Sequence, residues 1–142
     1  MNETIRTFGY PDTLIREFDH WVLLLRPAQP TLGSLVLAAK SDATAFGDLP
    51  SAAHAELAPI TQAIESALGR FVNYARINYL MLMMVDPHVH FHVIPRYDGT
   101  REWNGRTFPD AGWPKVPDLG QAIALDQQDK ARLREDISAC FG

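Results

Sequence analysis

Cysteine is nearly missing from this chain: Cys140, close to the C-terminus, is the only one among 142 residues. That excludes an intramolecular disulfide and a cysteine-rich zinc site. Basic blocks are missing too. Thirteen Lys and Arg against seventeen Asp and Glu give a formal net charge of −4. A dedicated nucleic-acid binder normally carries a basic face, so no nucleic-acid partner is expected. A nucleotide needs only a few well-placed donors and stays open. No apolar run can span a bilayer: the longest, Tyr79 to Val85, falls far short of the roughly 20 residues required. The start, Met1-Asn2-Glu3-Thr4, has no signal-peptide core. A cytoplasmic location with no membrane partner is the expectation. Internal repeats and low-complexity tracts are absent as well.

What is present is a chain 46% hydrophobic, long enough for one domain with its own core. The first ten residues read as loosely ordered. Thr13–Phe18, Trp21–Leu25 and Ser34–Ala39 read as the first strands of an antiparallel sheet, parted by Asp19-His20 and by a loop with Pro27, Pro30 and Gly33. Ser41-Asp42 caps a short helix through Phe46, and Ser51 caps a longer one. Leu57, Ile60, Ile64, Leu68 and Phe71 form its apolar stripe. Pro59 predicts a kink, or a start close to itself. Ile77–Val85 is apolar enough for a central strand covered on both faces. Asp86-Pro87 predicts a tight connection back to the next strand, which Pro95 ends. After Tyr97, Gly and Pro punctuate an irregular segment carrying Trp103, Phe108 and Trp113, and a helix from Asp126 to Phe141 closes the chain.

The most informative stretch is Asp86-Pro87-His88-Val89-His90-Phe91-His92-Val93-Ile94-Pro95-Arg96. The period of two is a strand pattern, so His88, His90 and His92 share one face and Val89, Phe91 and Val93 the other. Neighbouring histidines then stand roughly 6.6 Å apart. A lone histidine on a strand is ordinarily an exposed polar residue or a hydrogen-bonded core residue. Three on one face, backed by an apolar face, is a pattern that packing seldom needs. Two kinds of chemistry fit: a metal site, or phosphoryl chemistry with an imidazole nucleophile.

The run His88 to Ile94 resembles the signature of the histidine triad (HIT) superfamily, His-φ-His-φ-His-φ-φ with φ apolar, at every position. Pro95-Arg96 resembles its common continuation. Gly33-Ser34-Leu35-Val36-Leu37-Ala38-Ala39-Lys40 is similar, less faithfully, to an upstream Gly-His strand, and Asn78 to an upstream asparagine. The resemblance covers roughly residues 13–98, leaving 99–142 as an extension of a single domain, 1–142. It implies an α+β fold: an antiparallel sheet of about five strands with a long helix across it, then an irregular segment and a final helix. It implies a homodimer and a small-molecule nucleotide substrate, with no cofactor and no metal. It implies a nucleotidyl hydrolase or transferase acting on a dinucleoside polyphosphate or nucleoside phosphoramidate type of conjugate. His90 would attack the α-phosphorus to give a nucleotidyl-histidine, and His88 and His92 would donate to phosphate oxygens or hold the nucleophile. An imidazole whose proton is held by a backbone carbonyl aims its lone pair at phosphorus, which agrees with that role.

The chain also departs from the pattern. Ser34 replaces the upstream histidine, and either donates a hydrogen bond or is simply a strand residue. Leu25 and Arg26 stand where an acid or amide would hold ribose hydroxyls. Arg26 has only donors, so it either pairs with a phosphate or stands solvated at a strand end. Arg96 is a further phosphate candidate, and so is Lys40. Asn78, Ser34, Arg26 and Arg96 are thus the candidate substrate contacts. Met83-Met84-Val85-Asp86-Pro87 replaces a polar, Gly-rich loop and offers few donors. Two readings compete with the hydrolase or transferase: a metal-dependent enzyme using the His-x-His strand, and a non-catalytic nucleotide-binding module.

Overall fold

The computed structural model describes residues 1–142. The chain runs α1 (Glu3–Thr7), β1 (Leu14–Glu17), β2 (Trp21–Leu25), β3 (Ala28–Gln29), β4 (Leu35–Ala39) and α2 (Ser51–Val72). It continues through β5 (Arg76–Leu80), β6 (His90–Arg96), β7 (Thr100–Trp103), β8 (Arg106–Pro109), β9 (Ile123–Ala124) and α3 (Gln127–Ser138). Five strands form one antiparallel sheet in the order β1-β2-β4-β6-β5. This is the α+β architecture that the resemblance implies, with its sheet of five antiparallel strands.

Alternation along the strands separates two apolar layers. Leu23, Leu25, Leu35, Leu37, Val93 and Tyr97 face α2 and meet its buried stripe of Ile60, Ile64, Leu68 and Val72. Val22, Leu24, Val36 and Ala38 face the other way and meet Ile5. Helix α2 starts at Ser51 and runs unbroken through Pro59. Pro59 is exposed, so burial of the opposite face outweighs one missing backbone hydrogen bond. Asn73, in the left-handed region at φ 48°, ends the helix.

Several sequence expectations need correction. The N-terminal residues are ordered. Asn2 caps α1 by accepting from the Ile5 N–H at 3.0 Å, and its amide donates to the carbonyls of Ala39 and Ser41 at 2.9 and 3.0 Å. No helix covers Ser41–Phe46; a single 3₁₀ turn lies at Phe46–Asp48. The apolar run after Ile77 is an edge strand that stops at Leu80, and residues 81–89 form a loop rather than a tight connection. Met84 and Val85 there are 81% and 93% exposed. Pro95 does not end β6, because β4 has already ended opposite Val93 and no strand on that side needs its amide. The segment after Tyr97 contains a hairpin, β7 to β8, turned by Asn104 and Gly105 at φ 50° and 74°. No helix is long and apolar enough to cross a membrane.

Candidate active site

Strand β6 sets the site. His90 and His92 alternate with Phe91 and Val93, and in register they stand opposite Ala38 and Val36 of β4. On the other side Leu80 of β5 pairs with His92. Small apolar neighbours leave room for two rings, whose centroids lie 5.1 Å apart at a steep angle. His88 precedes the strand. Its approach is fixed by Val89, whose carbonyl accepts from Ala39 and whose amide donates to Ala43 at 3.0 and 3.2 Å.

Each ring has one defined partner. The Nδ1 of His90 lies 2.7 Å from the His88 carbonyl oxygen. A carbonyl can only accept, so Nδ1 carries the proton and Nε2 keeps a free lone pair. The Nδ1 of His92 meets the Arg26 guanidinium Nε at 3.4 Å. The Nδ1 of His88 shares a hydrogen bond of 2.9 Å with the Thr4 hydroxyl, which also accepts the His88 N–H at 3.3 Å. Burial, then the charge of Arg26, then His90 push the His92 imidazole down to about 4, so it is neutral at pH 7. Burial also lowers the Arg26 guanidinium from its ordinary value.

The rings do not line a wide pocket. His90 and His92 are 1% and 8% exposed. The Phe8 ring stands over both at 5.5 and 5.7 Å between centroids. Their ε nitrogens, which have no protein partner, are not sealed: no side-chain nitrogen or oxygen is both buried and unpartnered. On the same face of the sheet, beside Leu80, lies a groove of about 880 Å³ walled by Arg76, Asn78, Arg96 and Trp113–Pro117.

The remaining sequence candidates divide. Arg26 joins the triad. Arg96 is held in a buried, two-pronged ion pair with Asp110, its Nε and Nη2 donating at 2.7 and 3.0 Å, while its Nη1 donates to Asn78 at 2.8 Å. Asp110 also accepts the Tyr97 N–H at 3.2 Å. Asn78 and Arg96 thus reach the groove wall but are not beside the imidazoles. Ser34 is fully buried and its hydroxyl donates to Thr31 at 2.8 Å within the turn before β4. Lys40 pairs with Glu17 at 2.8 Å near the surface. No group of three or more His, Cys, Asp or Glu side chains converges as a metal cage.

Sequence reading missed Thr4, Phe8 and Asp110. An Asn cap followed by Ile5 and Phe8, three apart, was the available sign of α1. Asp110 carries no local signal; only the fold brings it to Arg96.

The HIT domain family model matches residues 8–99. A histidine triad (HIT) protein from Sinorhizobium meliloti 1021 superposes with a TM-score of 0.73 at 20% identity, over 96% of this chain and 93% of that one. A histidine triad protein from Bradyrhizobium japonicum gives 0.70 at 17%, over 100% and 97%. The diadenosine triphosphate hydrolase of Plasmodium falciparum gives 0.65 at 11%, over 91% and 76%. These structural likenesses speak to the fold. A search of the curated proteins finds no match.

Proposed function

The chain belongs to the histidine triad (HIT) family, and from that premise we propose that it is a nucleotidyl hydrolase or transferase with His90 as nucleophile. The observation that carries this reading is the 2.7 Å hydrogen bond from His90 Nδ1 to the His88 carbonyl. It fixes the proton on the far nitrogen and leaves the Nε2 lone pair free to attack. The substrate is a nucleotide conjugate of the dinucleoside polyphosphate or nucleoside phosphoramidate type. A structural relative, the Plasmodium falciparum diadenosine triphosphate hydrolase, bears the name of such an activity.

The reaction has two displacements. The Nε2 lone pair of His90 forms a P–N bond at the α-phosphorus as the P–O or P–N bond to the leaving group breaks. The leaving group departs with that electron pair and takes a proton from solvent. Water or another acceptor then forms a bond to the same phosphorus, the P–N pair returns to Nε2, and the acceptor's proton passes to solvent. His88 and His92 supply hydrogen bonds to the non-bridging oxygens, where charge must be held. Asn78 and Arg96 contribute the adjoining groove wall, and Ser34 braces the turn beneath Arg26.

A homodimer belongs to the same reading. β5 is an open sheet edge, flanked by exposed Leu82, Met84, Val85 and Val116. Analytical ultracentrifugation across a concentration series checks it: a monomer at every concentration would remove the dimer from the account.

Activity is tested with a panel of adenosine and guanosine conjugates, assayed with and without EDTA. Turnover that survives the chelator and is lost in His90→Asn supports the histidine route. Turnover abolished by EDTA and restored by zinc favours a metal enzyme, and no turnover of any conjugate favours a binding module.

A further inference from the structure

Arg26 stands just beyond β2, and its surroundings hold it more firmly than a residue at a strand end requires. Its backbone N–H donates to the Ser34 carbonyl at 3.1 Å, and its carbonyl accepts from the Gln29 amide at 2.6 Å. Gln29 is itself fully buried and locked by the N–H groups of Gly33 and Ser34 at 2.9 and 3.1 Å. The guanidinium is held at both ends. Nη1 donates to the Ala28 carbonyl at 2.6 Å, and Nε donates to His92 Nδ1 at 3.4 Å. An arginine with no carboxylate partner, anchored on the carbonyl of its own turn, has one side-chain partner, the imidazole.

We propose that Arg26 is a positioning residue: its Nε–H caps Nδ1 of His92 and confines the single proton of that ring to Nε2, where it donates to a non-bridging oxygen of the transferred phosphate. A guanidinium has no acceptor atom, so Nδ1 must be the accepting nitrogen of a neutral ring. The result is a complementary pair on one strand face. His90, held from behind by a carbonyl, presents a bare Nε2. His92, held from behind by a cation, presents a protonated one. No proton is transferred by His92; it is a fixed donor. The inference rests on the nucleotidyl-transfer reading for what the donor does, but the tautomer itself stands apart from it.

The surroundings of His92 support the assignment. The charged or titratable groups that face it are Arg26, from the turn after β2, and His90, from its own strand. The other packed elements bring Phe8, Val36 and Leu80. Nothing anionic is there to draw a second proton onto the ring, and burial together with the guanidinium keeps it neutral well below pH 7.

The test reads the ring directly. Long-range ¹H–¹⁵N spectra of the uniformly labelled full chain, titrated from pH 8 to pH 4, report tautomer and protonation of each histidine. The wild type is expected to show His92 with an unprotonated Nδ1, a protonated Nε2 and a depressed midpoint. In Arg26→Met, which keeps the length and removes donor and charge, His92 should become a tautomer mixture and its midpoint should rise. Arg26→Gln, which restores a donor without a charge, should recover the tautomer, with a midpoint that stays above the wild-type value but is still held down by burial. In turnover, Arg26→Met should lower kcat by about 10- to 100-fold, by analogy with the loss of a partner that orients a metal-ligating histidine, with KM changed far less. A wild-type His92 protonated on Nδ1 overturns the proposal. So does an Arg26→Met chain, folded by its spectral dispersion, whose His92 tautomer and midpoint match the wild type; if that variant does not fold, Arg26→Ala, which likewise removes donor and charge, is read in the same terms. Failure of the underlying reading looks different: the tautomer holds while His90→Asn still turns substrate over.

Discussion

Thr4 and His88 lie 84 positions apart in the chain and meet at 2.9 Å, hydroxyl to imidazole Nδ1. The same hydroxyl accepts the His88 N–H. The N-terminal helix is therefore part of the histidine wall, tied to β4 through Asn2 and to the triad through Thr4. Replacing Thr4 by valine keeps the shape and removes both hydrogen bonds. The expected loss is about 1–3 kcal/mol in urea unfolding, the usual net worth of two such bonds, with a fall in turnover. Thr4→Ser should keep both near wild type. Equal behaviour of the two variants would remove Thr4 from the site.

Arg96 and Asp110 form an ion pair whose side chains are 4% and 1% exposed. Removing one partner strands the other charge in the interior. Asp110→Asn should cost about 3–5 kcal/mol in chemical denaturation, the range for broken buried pairs. Because Asp110 also receives the Tyr97 N–H, the hairpin β7–β8 should lose amide protection in hydrogen exchange. A change within a few tenths of a kcal/mol would show that water reaches the pair.

His92 makes stability depend on pH. Its folded value, about 4, lies below the ordinary 6.5. Between those values the unfolded chain binds a proton that the folded chain refuses. Stability from this group is complete above pH 6.5 and is lost as pH falls toward 4. His92→Asn should show a shallower fall of Tm between pH 6.5 and 4 than the wild type. Opening the cover should act on the same group: Phe8→Ala eases the desolvation, so the His92 midpoint measured by NMR should rise. Parallel Tm curves and an unmoved midpoint would contradict the burial account.

Much of this architecture is legible in the residues because local pattern and tertiary need coincide. Trp21–Leu25 and Leu35–Ala39 are apolar runs bounded by turn residues, and they are fully buried strands. The triad alternates with apolar residues, and its faces sort as alternation demands. The stripe Ile60, Ile64, Leu68 marks α2 despite Pro59. What escaped has physical causes. Helix α1 has only five residues, too few to be stable alone; contacts from Asn2 and Ile5 make it. Ile77–Val85 reads as a central buried strand by composition, yet the chain leaves the sheet after Leu80 and exposes Met84 and Val85. Arg96 reads as a free cation, since nothing nearby in sequence announces Asp110. At the site, the three histidines were legible as a set, but their partners were not. Two come from other elements, Thr4 from α1 and Arg26 from the turn after β2; the third, for His90, is the backbone of His88 two residues earlier.

The account stands most directly on the chemistry of His90 Nε2. The decisive measurement uses a nucleotide conjugate ³²P-labelled at the α-phosphate, mixed with the full chain and quenched in alkaline denaturant, where a phosphorus–imidazole bond survives. Intact mass and peptide mapping then locate the label. The prediction is a stoichiometric nucleotidyl adduct on His90 that forms with leaving-group release, decays when acceptor is added, and is absent in His90→Asn. Undiminished turnover by His90→Asn, or label mapped to any other residue, would contradict it.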